Sequence, residues 1–569
     1  MAPANPPLPR WLERFAWVAL AASAGLFVYI AARHVLYPGF TETMEGDALQ
    51  HIARIAQGRP PYPSPGAEFI PLSYMPLFYY LAAPLHLLLG DTLAGPRLIS
   101  ALAALLAGGL IGWIVWRESG SRPLACLGAA LYFSSYRLMD AYLVCALPDS
   151  LMLFWLLAGF CFFAYGTRPL HDALWLLLSI LAFWTKQHAA FFFALAVLYA
   201  LLFRRNHLPK WLIAGVMLAG GPLAYYLLGP WFGDGFFLHT FVVPGRWEHR
   251  AVFSVRRMAL VLSCYVPFLL LLTSVYLVAS TEWRRLRFTP LGWFVLSGLV
   301  ATAVTMTAAG SSNNHYIPLI AALSATAALG IPPLIRGAVR WWLGGLLLGV
   351  TAVSAAVTIV ALRSYAGHDI SYVPPVATAS ALVLFAVLWR VAEPARGGAL
   401  ASVLLAGHLV IAFYYPARYL PVDGYREALA ALRAEIRALD GQVIWVPYGN
   451  VPAELTALKL PSSPSWVALE DVERQVNAAE EARRDLEPFL ARIRGAPGLH
   501  ILSDDRIEGV PVWRNLAPRL ALVRDFGRQF SSVRQIAYHW YGGGNYPRYL
   551  YRVVPQAAAP SSPYAKQSQ

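Results

Sequence analysis

The chain has 569 residues, of which 58% are hydrophobic and 13% are charged. Average soluble domains carry about 25% charged residues, and a chain this apolar cannot bury its hydrophobic side chains in a soluble core. The composition therefore excludes a soluble enzyme, a disordered protein and a secreted disulfide scaffold, and it indicates a polytopic membrane protein. The net charge of +14 lies mostly in short basic clusters between apolar segments. This pattern is typical of cytoplasmic loops, and we expect no nucleic-acid partner.

Apolar segments long enough to cross a bilayer as helices recur along the first three quarters of the chain, and we count about thirteen of them. They lie near residues 14–36, 94–116, 123–141, 150–166, 171–184, 187–203, 210–229, 258–280, 289–309, 316–335, 340–362, 373–390 and 398–415. Basic residues flank every second loop, from Arg10 and Arg14 to Arg390 and Arg396. This alternation predicts a cytoplasmic N-terminus and, with an odd number of spans, a C-terminus outside the membrane.

The chain changes character at about residue 420, where charges become frequent and mixed in sign. An amphipathic helix over 425–439, further helices over 471–494 and short strands at 443–446 and 500–502 are predicted there. We therefore divide the chain into a transmembrane domain (1–419), whose first outer loop spans 37–93, and a small soluble extracytoplasmic α/β module (420–555). The Ala-, Pro- and Ser-rich tail (556–569) is predicted to be disordered.

The first outer loop carries two carboxylates, Glu45 and Asp47, directly before an amphipathic helix predicted over 48–57. In an extended segment, residues two apart point to the same side, so both can face one pocket as a base and its partner or as oxygen ligands of a metal. Asp47 is equally well explained as the N-cap of the helix that begins at Ala48. Both roles remain open, and they are compatible.

Two further polar positions lie at the outer ends of predicted spans. Asp149 opens the fourth span, where an acidic residue most often caps a helix and less often has a functional role. Lys186 interrupts two apolar segments, followed by Gln187 and His188. Lys186 can hold a phosphate as a point charge or can extend from a helix end to the membrane surface, and the adjacent polar pair favours function.

The loop over 231–257 is basic although the topology places it outside, and it includes Arg246 and Arg250. An anionic lipid headgroup would explain such positive charge, and so would nonspecific pairing with lipid phosphates. Between the ninth and tenth spans, Asn314 and His315 are suited to hydrogen-bonding sugar hydroxyls, although Asn is also common in turns.

The sequence resembles the GT-C superfamily of polyprenyl-phosphate-dependent glycosyltransferases, especially the branch of protein O-mannosyltransferases and aminoarabinose transferases of bacteria. The resemblance covers roughly residues 10 to 330. The segments that carry it are Glu45-Gly46-Asp47, Tyr74-Met75-Pro76-Leu77-Phe78-Tyr79-Tyr80, Gly90-Asp91 with Arg97-Leu98-Ile99-Ser100, Pro148-Asp149-Ser150, Thr185-Lys186 and Asn314-His315-Tyr316-Ile317-Pro318. It implies an all-α bundle of the GT-C type on which the soluble module is appended.

The resemblance also implies a reaction. A sugar is moved with inversion from a polyprenyl phosphate to an acceptor hydroxyl on a glycolipid, polysaccharide or protein, at the periplasmic face of a bacterial inner membrane. Asp47 would be the general base, and Glu45 and Asp149 would orient it or hold Mg²⁺ or Mn²⁺ together with it. Tyr74 stands where relatives of the aminoarabinose branch have a basic residue, so contacts to the phosphate are expected from Lys186 or Arg250 instead.

The same resemblance implies that Arg246 binds the donor phosphate together with Lys186 and Arg250. It also implies that the sugar or acceptor is bound by Tyr74, Gln187, His188, Asn314 and His315. A transporter or flippase of lipid-linked glycans is the alternative, but it should carry charges through the bundle, whereas these residues concentrate on the outer side. A non-catalytic glycan-binding subunit is a third reading, and it predicts that Asp47→Asn leaves function intact.

Overall fold

A computed structural model describes the helical part of the chain and the strands of its C-terminal part. The described residues are 8–37, 41–42, 44–63, 71–90, 92–203, 226–245, 249, 251–282, 287–308, 311–336, 397–412, 420, 431–432, 434–439, 443–446, 491, 498–503, 520–526 and 549–554. The predicted spans 340–362 and 373–390, most of 210–229, the helices over 471–494 apart from residue 491, and the tail 556–569 lie outside these residues.

The described chain is mostly helical. Its longer helices are α1 (Arg10–Val35), α2 (Glu45–Ala56), α3 (Leu77–Leu89), α4 (Ala94–Ser119), α5 (Arg122–Ser134), α6 (Asp149–Tyr165), α7 (Pro169–Thr185), α8 (Ala189–Phe203), α9 (Ala251–Tyr265), α10 (Pro267–Ser280), α11 (Pro290–Thr305), α12 (Ile317–Ile335) and α13 (Gly397–Ala412). Short helical turns at Tyr136–Met139, Asp140–Leu143, Leu238–Val242 and Asn313–Tyr316 complete the connections between them.

Three described helices are long and apolar enough to cross a bilayer: Arg10–Val35, Ala94–Ser119 and Asn313–Ile335. Six more described helices are apolar but shorter, between 10 and 17 residues. The chain is therefore a multi-pass membrane protein, while the count of about thirteen spans remains a prediction. The break between α7 and α8 confirms the predicted helix ends on either side of Lys186.

Helix α12 lies at the centre of the described bundle, and every residue from Ile317 to Leu334 is buried. It packs against α4, α5, α10, α11 and α13. Its small residues permit this close packing: a Cβ on Gly330 would lie 2.0 Å from the Leu272 carbonyl oxygen. The hydroxyls of Thr273 and Thr326 join the α10–α12 interface by a 2.8 Å hydrogen bond.

Two predicted spans are interrupted. The segment predicted over 123–141 ends as a helix at Ser134, because the side chains of Ser134 and Ser135 both donate to the Leu131 carbonyl and compete with the helical ladder. The segment predicted over 258–280 is divided at Pro267, which begins α10 since proline lacks the N–H that a helix interior requires.

The C-terminal strands form one mixed sheet of four strands in the order β1-β2-β4-β3. These strands are β1 (Val443–Val446), β2 (His500–Ser503), β3 (Leu520–Asp525) and β4 (Tyr549–Val553). β1 and β2 pair in parallel, and the other two pairs are antiparallel. The two predicted strands are confirmed, whereas the boundaries of the module and its place outside the membrane remain predictions.

Candidate active site

Helix α2 places the two carboxylates of the first loop, and it begins earlier than predicted. Met44 is its N-cap, so Glu45 and Asp47 both lie within its first turn. The expectations that Asp47 caps a helix starting at Ala48, and that the two carboxylates share a face of extended chain, are wrong. In a helix, residues two apart diverge by about 200° around the axis, and the two side chains consequently have different surroundings.

Glu45 is fully buried and forms a two-pronged ion pair with Arg97 of α4. Arg97 Nε donates to Oε1 at 2.7 Å and Nη2 to Oε2 at 2.5 Å, while the backbone N–H groups of Thr41 and Ala146 donate at 2.7 and 2.8 Å. Burial alone raises the pKa of Glu45, but Arg97 and these hydrogen bonds outweigh it and lower that pKa below its ordinary value. Glu45 therefore holds α2 against α4, and its contacts do not suit a base or a metal ligand.

Asp47 has the opposite surroundings. Its side chain is 4% exposed, and its carboxyl makes no hydrogen bond or ion pair with any part of the chain that the structure describes. Burial, followed by the nearby carboxylate of Glu42, raises the pKa of Asp47 well above its ordinary value. A buried carboxylate with no compensating partner has a high affinity for a proton, which is the property of a general base.

Lys186 and Asp149 meet where α7 ends and α6 begins. Lys186 Nζ lies 2.6 Å from Asp149 Oδ1, and both side chains are 1% exposed. The second carboxyl oxygen of Asp149 has no partner within the described residues, and Lys186 lies 4.7 Å from the centre of the Tyr74 ring. Asp149 is the first residue of α6, and its contacts make it the partner of Lys186.

A second polar cluster lies beside Lys186. The rings of His188 and His315 lie 4.8 Å apart. Burial and then the charge of Lys186 lower the pKa of His188 to about 3, so His188 is neutral at physiological pH. Within the described residues, His315 Nδ1 and the side-chain oxygens of Asn313 and Asn314 are buried without a hydrogen-bond partner.

The structure thus brings together Asp47, Asp149, Lys186, Tyr74, His188, Asn314 and His315 of the predicted set. The contact of Gln187 with the sugar or acceptor stays a prediction. Its Nε2 donates to the carbonyls of Ser73 at 2.6 Å and Thr240 at 2.9 Å. It therefore ties two loops together. Arg246 and Arg250 lie outside the described residues. Arg257, predicted in the same loop, lies in helix α9; it acts electrostatically on His315 and donates to the Ser311 carbonyl at 2.7 Å.

A metal site made of Glu45, Asp47 and Asp149 does not fit this geometry. Both oxygens of Glu45 are bound by Arg97, and the described residues contain no group of three or more His, Cys, Asp or Glu side chains that could hold a metal ion. We therefore derive no chemical step from a metal.

Sequence reasoning did not single out Glu42, His51 or the Tyr79 hydroxyl, and it gave Arg97 no role. Arg97 offered a signal, since a charged residue near the start of an apolar segment is costly unless it is paired. Glu42, His51 and Tyr79 offered none, because polar loop residues and tyrosines near a membrane surface are common. Glu42 and His51 are near Asp47 in the sequence, whereas Tyr79 comes close to Asp47 only when α3 packs against α2.

Comparisons with known proteins place this arrangement in a known fold. The chain superposes on ArnT from Cupriavidus metallidurans bound to undecaprenyl phosphate with a TM-score of 0.51 and 16% identity, over 95% of this chain and 100% of that one. Against the apo state of ArnT the TM-score is 0.53, again at 16% identity, over 95% and 99% of the two chains.

The arabinosyltransferase EmbB from Mycobacterium smegmatis is similar at a TM-score of 0.43 and 15% identity, over 73% of this chain and 42% of that one, and this score carries no argument. A scan against protein-family models finds no match, and neither does a search of curated proteins. Sequence identity of 16% to ArnT shows a shared fold and does not show a shared activity. The chain therefore has the fold of ArnT, as its sequence resemblance predicted.

Proposed function

We propose that the protein is an inverting glycosyltransferase that moves a sugar from a polyprenyl-phosphate donor to the hydroxyl of an acceptor. The observation that carries this proposal is the buried carboxyl of Asp47, which has no partner among the described residues. Like the carboxyl of Asp149 in the Lys186–Asp149 ion pair, it lies within electrostatic reach of Tyr79. An available base and a buried cation in one site are the two groups that sugar transfer from a phosphate requires. The ArnT fold, known with undecaprenyl phosphate bound, supports the same donor class.

In this mechanism Asp47 accepts the proton of the acceptor hydroxyl as its oxygen attacks the anomeric carbon. A bond forms between the acceptor oxygen and that carbon, and the bond from the carbon to the phosphate oxygen breaks on the opposite face. The leaving polyprenyl phosphate takes the bonding electron pair, and the configuration at the carbon is inverted. The raised pKa of Asp47 strengthens the ionised carboxylate as a base at the moment of attack.

Lys186 stabilises the negative charge that develops on the leaving phosphate. Its ammonium group is buried and already positioned by Asp149 and the Tyr74 ring, so it need not reorganise during the reaction. Asp149 thereby acts on the reaction through Lys186 as a positioning residue. Arg246 and Arg250 remain proposed phosphate ligands.

The side-chain oxygens of Asn313 and Asn314 have no partner within the described residues, and together with His315 they are proposed to accept hydrogen bonds from the donor sugar. Such acceptors suit hydroxyl groups, and the charges of Lys186 and Arg257 nearby disfavour a sugar that carries an ammonium group. We propose that the acceptor is a glycolipid, polysaccharide or protein. The site is proposed to face the periplasm, with the chain in the inner membrane and its C-terminus outside.

The test measures sugar transfer by the purified full-length protein in detergent. Wild type and Asp47→Asn are incubated with radiolabelled polyprenyl-phosphate sugars and membrane-extract acceptors, with and without EDTA. Transfer by wild type and its loss in the variant, with donor binding retained, would support the proposal. Inhibition of transfer by EDTA would indicate that the reaction requires a metal ion. Absence of transfer, together with movement of lipid-linked sugar across liposomes, would favour a flippase instead.

A further inference from the structure

The hydroxyl of Tyr79 is a buried polar group within electrostatic reach of Asp47 and Asp149. Tyr79 lies near the start of α3 and is fully buried, and its hydroxyl has no hydrogen-bond partner within the described part of the chain. A buried hydroxyl that makes no hydrogen bond destabilises the folded protein. Phenylalanine at this position would avoid that cost, so the hydroxyl requires an explanation beyond packing.

The ring that carries this hydroxyl is held in one orientation. It stacks on the His51 ring with a centroid separation of 4.3 Å and an interplanar angle of 0°. His51 is itself fixed, since its Nε2 accepts a 2.9 Å hydrogen bond from the Leu72 N–H and its ring lies 5.0 Å from that of Tyr62. The hydroxyl is therefore a positioned group, as a substrate contact must be.

The surroundings of the hydroxyl indicate which substrate it meets. The carboxyl groups of Asp47 and Asp149 both lie close enough to act on it electrostatically. The negative charge of these two carboxylates repels a phosphate, which is better placed beside Lys186 and Arg257. A neutral hydroxyl group, in contrast, can donate to Asp47 and accept from the Tyr79 O–H at the same time.

We propose that the Tyr79 hydroxyl contacts the acceptor substrate, donating a hydrogen bond to the oxygen whose proton Asp47 removes. This inference rests on the proposed function. It assigns the region between Asp47 and Tyr79 to the acceptor and the region around Lys186 to the donor phosphate. Tyr79 holds the attacking oxygen in line, while Asp47 takes its proton.

The experiment compares Tyr79→Phe with Tyr132→Phe in the full-length protein. Tyr132 of α5 is also fully buried, and its hydroxyl is likewise unpartnered within the described residues, but no carboxylate acts on it. The two variants thus make the same chemical change inside and outside the site. Steady-state transfer is measured with donor and acceptor varied separately, and thermal unfolding is followed for each protein.

We expect Tyr79→Phe to lower kcat/KM for the acceptor about tenfold, the usual effect of losing one hydrogen bond. The KM for the donor should stay at the wild-type value, and the Tm should not fall. Tyr132→Phe should match wild type in transfer. The inference about Tyr79 would be overturned, and the proposed function left standing, by any of three outcomes. These are unchanged transfer by Tyr79→Phe, a rise confined to the donor KM, or a loss of transfer explained by a lower Tm. Inactive wild type would overturn the proposed function, and the inference with it.

Discussion

Glu45 and Asp47 lie in the same turn of α2, yet one carboxylate is bound on both oxygens by Arg97 and the other has no partner among the described residues. The two pKa values consequently move in opposite directions, down for Glu45 and up for Asp47. Pairs of carboxylates separated in this way commonly divide a structural role from a proton-transfer role. The division supports our proposal that Asp47 carries the chemistry while Glu45 supports its helix.

The first prediction concerns that support. Glu45→Gln leaves the Arg97 guanidinium buried without its counter-charge, and we expect a loss of roughly 3–5 kcal/mol in the free energy of unfolding. Arg97→Lys should also destabilise the protein, because an ammonium cannot reproduce the two-pronged contact. Thermal or denaturant unfolding in detergent measures both. Wild-type stability of Glu45→Gln would show that the pair does not hold α2.

Asp47 should show the reverse effect on stability. Because its folded-state pKa is raised, ionising Asp47 costs the folded protein free energy. Wild type should lose stability relative to Asp47→Asn as the pH rises from the ordinary carboxyl pKa, about 4, through the raised value, and the difference should then stay constant. Thermal unfolding from pH 4 to 8 tests this, and a less stable Asp47→Asn at pH 8 would contradict an unpaired carboxylate.

The ion pair of Lys186 and Asp149 gives a third prediction. Lys186→Met removes the proposed stabiliser of the leaving phosphate, and we expect transfer to fall by roughly 100-fold or more, as for other preorganised charges. Asp149→Asn keeps Lys186 but loosens its position, so a smaller loss is expected. Donor binding by isothermal titration separates the two effects. Equal losses in both variants, with donor affinity unchanged, would argue against a phosphate contact at Lys186.

Gln187 and Asn314 make a matched pair of amides with different expected outcomes. Gln187→Leu breaks two hydrogen bonds between loops, and we expect it to lower the Tm. Asn314→Ala removes an oxygen that is unpartnered in the described chain, so it should leave the Tm near that of wild type and raise the KM for the donor. Unfolding curves and transfer kinetics on both variants distinguish the roles. A large loss of stability in Asn314→Ala would assign that residue to the fold.

The sequence by itself determined the class of protein and most of the helices. Hydrophobic length is a local property, so the apolar segments predict the long helices α1, α4 and α12 and the break at Lys186. Polar residues that interrupt such segments are costly in a membrane, and for that reason the amino-acid pattern alone singles out Asp149, Lys186 and Asn314. The sequence resemblance predicted the fold, and the similarity to the ArnT structures confirms that prediction.

Only the tertiary structure decided which of these residues are partners. Glu45 meets Arg97 across 52 residues and Asp149 meets Lys186 across 37, and no local pattern encodes such pairs. Gln187 donates to the carbonyls of Ser73 and Thr240, and Tyr79 comes within electrostatic reach of both Asp47 and Asp149. The role of an ionisable side chain depends on its burial and its neighbours, and both are set by how distant helices pack.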